Sequence, residues 1–104
     1  MGFDVLADLV GFEWDGHKIP KNRDKHQVEP GECEELFFNE PLLVAADAKH
    51  SAIVPRFHAL GKSDSGRTLL AVFTVRGNKI RVISVRDMSR KERAVYDSER
   101  TKRT

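Results

Sequence analysis

An α+β fold, with a small antiparallel β-sheet carrying N-terminal helices and a C-terminal helix packed on it, is what this chain predicts, on the strength of three stretches. Leu69 to Arg86 alternates apolar and polar residues about a Gly77-Asn78 dipeptide, which closes tight hairpins because both positions tolerate positive φ. Ser89-Arg90-Lys91-Glu92 matches a capping box, in which Ser89 and Glu92 each satisfy a backbone donor at a helix start. Pro30, ahead of Gly31 to Leu36, suits the first position of another helix, where its missing N–H costs nothing.

Taken in order, Phe12, Glu13 and Trp14 alternate as a short first strand that ends at Asp15, a good helix cap. His17 to His26 reads as helix, with Lys18, Asn22 and His26 recurring every fourth residue along one face and Lys25 beside it. Pro20 is tolerated only in a first turn, so the regular part begins near it. In the helix from Pro30, Cys33, Leu36 and Phe37 form the inward stripe, with Glu32 and Glu35 outside, and Asn39-Glu40-Pro41 ends it. Pro41 to Ala46 is a strand and Asp47 to Val54 a polar loop. Phe57 to Lys62, a turn at Asp64-Ser65-Gly66, Leu69 to Arg76 and Lys79 to Arg86 make residues 56–86 a three-stranded antiparallel meander. The last helix runs to about Glu99.

With 104 residues the chain is expected to be one domain, residues 1–104, with 1–11 as an extension and 100–104 as a flexible tail. A site must then lie on an exposed groove or sheet face. The 39% hydrophobic and 33% charged composition is that of a soluble protein, and no apolar run approaches the roughly 20 residues of a membrane helix. The acidic first ten residues do not read as a secretory signal, so a cytoplasmic location is expected. Cys33, the single cysteine, excludes an internal disulfide framework. Net charge is only +2, but its distribution is uneven: from Arg76 onward there are ten Lys/Arg against four Asp/Glu, and before it eight against twelve.

The hairpin gathers these cations. Its register sets Arg76 against Lys79 and Thr74 against Arg81 on one sheet face, with Phe73, Val75, Ile80 and Val82 on the other. Three adjacent cations repel unless an anion lies among them, and a phosphate is the natural one. Arg86 falls on the opposite parity, which suits pairing with an acid or orienting the helix. Neither a metal nor a cofactor is expected: His17, His26, His50 and His58 show no HExxH spacing, and there is no Gly-rich phosphate loop or nucleophile elbow. RNA cleavage without metal needs little more than cations around one phosphate, because the ribose 2′-hydroxyl is itself the nucleophile. His26 is the proton-transfer candidate, with a helix-capping role as the alternative. Tyr96 either reaches toward substrate or packs on the sheet, and Trp14 is read as core rather than as a stacking platform.

Phe12 to Asp15, Lys18, Asn22, Lys25 to Val28, Phe37-Phe38, Arg56 to Gly77 and Lys79 to Tyr96 together resemble the BrnT family of bacterial toxins, over residues 12–96. The resemblance implies a RelE-like fold and a ribonuclease toxin of a type II toxin–antitoxin pair. It also implies a BrnA-like antitoxin as partner, RNA as substrate, and operator DNA bound through the antitoxin complex. Lys25, His26, Arg76, Arg81, Arg86, Glu92, Arg93 and Tyr96 match its pattern. Arg76, Arg81 and His26 are then the catalytic candidates, and Lys25, Lys79, Arg86, Arg93 and Tyr96 the RNA-contacting ones. The chain departs from the pattern at Gln27, at Val85, and at Val54-Pro55, where the family carries an acidic residue. The alternative reading is a noncatalytic or decayed homologue that only binds antitoxin or nucleic acid.

Overall fold

The computed structural model describes residues 11–14, 27–47 and 55–103. Five strands form one sheet in the order β1-β5-β4-β3-β2: β1 (Gly11–Glu13), β2 (Leu43–Ala46), β3 (Phe57–Lys62), β4 (Thr68–Arg76) and β5 (Lys79–Asp87). Helix α1 (Pro30–Leu36) precedes β2, and helix α2 (Arg90–Arg103) follows β5. The helix expected over His17 to His26 lies outside the described residues, as do Lys25 and His26 themselves.

The meander stands as expected, with β3, β4 and β5 paired antiparallel. Gly77 and Asn78 have φ of 58° and 62°, the two positive values that a two-residue hairpin turn demands. At the other hairpin, Gly66 at φ 91° lets the Ser63–Arg67 turn close, and the Arg67 N–H donates to Ser63 Oγ.

In one respect the expected antiparallel sheet is corrected. β1 joins the edge of the sheet parallel to β5, with Gly11 opposite Lys79 and Glu13 opposite Arg81, so the sheet is mixed. Alternation reveals a strand but not its direction, and β1's partner lies far along the chain. Phe12 anchors this edge through its ring contacts with Phe37 and Phe38, at 5.5 and 6.0 Å between centroids. Trp14 is core, as read: it packs on the central cluster and its Nε1–H donates to Glu34 Oε2 at 2.7 Å.

The two sheet faces do different work. On one, Ala59, Leu69, Ala71, Phe73, Ile80, Val82 and Val85 are buried against Val28, Cys33 and Leu36 of the α1 segment. The approach is closest at Gly61, where a β-carbon would stand 3.0 Å from the Leu36 carbonyl oxygen, so glycine is what lets α1 settle there. At one end of this layer Arg67 ties three elements together, donating to Asp87 at 2.7 and 2.9 Å, to Glu32 at 3.0 Å and to the Gln27 carbonyl. Hydrogen bonding to Asp87 leads the causes that push the Arg67 pKa above its ordinary value.

The second face carries α2 at one end and open cations at the other. Tyr96 is fully buried there, and its O–H donates to the Pro41 carbonyl at 2.7 Å, which secures α2 to the start of β2. Of the two roles weighed for Tyr96, packing is the one realised. With no exposed surface it has nothing to offer RNA, which corrects its place among the RNA-contacting candidates.

Candidate active site on the hairpin face

The register places Arg76 opposite Lys79 and Thr74 opposite Arg81, on the face away from the core. Arg76 and Lys79 are exposed at the turn, Thr74 is buried between the strands, and the Arg81 side chain keeps a third of its surface. The parallel edge strand adds a group that alternation could not place there. Glu13 faces Arg81 and accepts from its guanidinium at 3.3 Å. Both partners are substantially exposed, so this contact is worth roughly 0–1 kcal/mol, weak enough for a phosphate to replace the carboxylate.

A β-bulge changes the position of Arg86. The pairing steps from Phe73↔Val82 to Val72↔Ser84, which leaves Ile83 as an extra residue in β5. Beyond it the parity reverses, so Arg86 stands opposite Leu70 on the same face as Arg81. The opposite-parity expectation for Arg86 is therefore corrected, whereas the expected acidic partner is present: Arg86 donates two bonds to Glu92, at 2.8 and 2.9 Å. The capping box is formed as well, with the Ser89 N–H donating to Glu92 and the Glu92 N–H to Ser89 Oγ. Arg86 is thus a strut between β5 and α2 whose charge is largely balanced. Arg93 is exposed on α2 and takes no part in the strut.

The Arg86 hydrogen bonds, helped by the Ser89 backbone, lower the Glu92 pKa to about 2. A carboxylate depressed in the folded state contributes stability that is fully present above its ordinary value near 4.5 and is lost as pH falls toward about 2. Melting curves between pH 5 and 2 are expected to show falling Tm in that window, with a shallower fall for Glu92→Gln.

Sequence reasoning passed over one pair on this face. His58, considered only as a metal ligand, lies in β3 opposite Val72 and Ala45, in the row next to Thr74 and Arg81. Its Nε2 meets Asp47 Oδ2 at 3.1 Å. Strand parity within Phe57 to Lys62 is the available signal, but the polar run from Asp47 reads as a loop. Here it extends the β2–β3 ladder, its N–H donating to the Arg56 carbonyl. Cys33, by contrast, is inert: burial first, then Glu34 and Glu32, pushes its thiol pKa far up, so no thiolate nucleophile forms. Among the described residues no group of three or more His, Cys, Asp or Glu side chains is arranged to hold a metal ion, and no helix is long and apolar enough to cross a membrane.

The fold is similar to the crystal structure of the Brucella abortus ribonuclease toxin BrnT, with a TM-score of 0.57 and 20% identity, covering 78% of this chain and 99% of that one. No curated protein matches the chain. The family model for the ribonuclease toxin BrnT of type II toxin–antitoxin systems matches residues 14–92, which span every described strand except β1 and reach into α2. The chain therefore belongs to the BrnT family of type II toxin–antitoxin ribonuclease toxins.

Proposed function

We propose that this chain is a RelE-like endoribonuclease that cleaves RNA on the hairpin face without a metal ion, by attack of a 2′-hydroxyl on the adjacent phosphate. The observation that carries the reading is the convergence of Arg76, Lys79 and Arg81 on one exposed face, with a replaceable carboxylate as their counter-charge. Arginine forks suit the developing charge on a phosphorane, which is spread over equatorial oxygens that a planar guanidinium can bridge. Arg81 and Arg76 stabilise that charge, Lys79 and Arg93 hold flanking phosphates together with Lys25, and Arg86 sets the position of α2. His26 serves as acid or base. Residues 1–104 act as one toxin domain in the cytoplasm.

A type II toxin has an antitoxin, and we take it to be BrnA-like, with an acidic segment that covers the basic face and a DNA-binding part through which the complex reaches its operator. The chain's departures at Val54 and Pro55 favour a second reading, a homologue that binds RNA or antitoxin without turnover. The two separate on end-group analysis of RNA incubated with purified protein in EDTA. New 5′-hydroxyl and 2′,3′-cyclic phosphate ends support the nuclease, whereas RNA that is bound yet intact, on ribosomes as well as free, supports the binding module.

A further inference from the structure

The proposed reaction moves two protons and so needs a base as well as an acid, and a guanidinium or ammonium, already protonated, cannot accept one. We propose that His58 is the general base of this face, taking the proton of the attacking 2′-hydroxyl at Nδ1, with Asp47 as its positioning residue. This rests on the ribonuclease reading above.

The geometry supports it in three ways. Asp47 is an acceptor only when ionised, so the 3.1 Å contact puts the ring proton on Nε2 and leaves Nδ1 with its lone pair. Nδ1 makes no hydrogen bond to the described residues, and the His58 side chain is 44% exposed whereas that of Asp47 is only 9% exposed. An outward imidazole held from behind by a sheltered carboxylate is the arrangement a base requires, because the carboxylate also stabilises the imidazolium that forms. The third is placement. His58 and Arg81 sit on the same face with β4 between them, and their rows are two residues apart along that strand. Sheet spacings put their Cα atoms roughly 12 Å apart, which an arginine and an imidazole close from opposite sides around one phosphodiester.

Charged groups face His58 from its own strand and from both neighbouring sides of the sheet. They are Asp47, Arg56 two residues before His58 at the same parity, and Arg81 and Arg86 of β5, with Arg86 paired to Glu92. In the step itself the 2′-oxygen gives its proton to Nδ1 and bonds to phosphorus. The P–O5′ bond breaks with its electron pair on O5′, which takes a proton from the acid, the role this leaves to His26 of the proposed function, and water then reprotonates that acid. The His58 imidazolium then returns its proton to water, and the products are a 2′,3′-cyclic phosphate and a 5′-hydroxyl.

Three measurements on the full chain test this. Nitrogen-15 NMR of the histidines is expected to show His58 as the Nε2–H tautomer, with that preference lost in Asp47→Asn. His58→Gln is expected to cut kcat for RNA cleavage about 100-fold or more, with RNA Kd within about twofold and Tm little changed. The acidic limb of the wild-type pH–rate profile should share its midpoint with the His58 NMR titration and vanish in His58→Gln. Wild-type kcat and an unchanged acidic limb in His58→Gln, while Arg81→Ala is inactive, would overturn the base assignment and leave the ribonuclease site standing. No cleavage by the wild type on free RNA or ribosomes would overturn both.

Discussion

Arg81→Ala is expected to lower turnover of RNA cleavage by about 100- to 1,000-fold, the usual cost of removing one donor aimed at developing charge. RNA affinity should fall much less, since one phosphate contact among several changes the salt dependence of binding by only about one unit of slope. That split between kcat and Kd marks an interaction made mainly in the transition state. Arg81→Lys should recover affinity but only part of the rate, because the ammonium keeps the charge and loses the fork. Folding cannot account for such a loss. The Arg81 contact with Glu13 is substantially exposed on both sides and so worth little, and denaturation midpoints of wild type and variant should nearly coincide.

Phe73→Ala carries the largest expected effect on stability. Phe73 is fully buried at the centre of β4, edge-on to Phe37 at 5.3 Å and stacked on Phe57 at 5.5 Å, so it joins α1, β3 and β4 in one aromatic cluster. Deleting its ring removes the transfer energy and leaves a cavity that the two rigid aromatic neighbours cannot refill, at a cost of about 3–5 kcal/mol. Small domains have only about 5–15 kcal/mol in hand, so urea denaturation should show a variant partly unfolded at 37 °C. Phe73→Leu should lose clearly less. Near-equal losses for Ala and Leu would place the stabilisation in ring stacking rather than in filled volume.

The hairpin was legible because two kinds of information coincide in it. Gly77-Asn78 fixes the turn, and alternation on either side then fixes the register, so Arg76, Lys79, Thr74 and Arg81 fall where the sequence puts them. The capping box at Ser89 and Glu92 was legible for the same reason, as a local pattern with a local bond. What lay beyond was of three kinds. The extra residue at Ile83 sits in a run of strand-forming residues with no Gly or Pro to mark it, so the parity of Arg86 could not be read by counting. The parallel pairing of β1 depends on a contact between distant segments, and with it goes the Glu13 partner of Arg81. The His58–Asp47 pair depends on β2 and β3 being extended one step past the last apolar residue of each. Tyr96 was readable in part: between Arg90 and Glu99, Glu92, Tyr96 and Glu99, spaced four and three apart, are the less exposed stripe among exposed neighbours, the spacing of a docking face.

The proposed placement of the ribonuclease site on the hairpin face is tested most directly by incubating one RNA in EDTA with wild type and with an Arg76→Ala/Arg81→Ala double variant of matched Tm. Defined fragments from the wild type and intact RNA with the double variant are the predicted result. Equal cleavage by both would contradict it, because the cations that make this face a phosphate site would then be dispensable for the reaction.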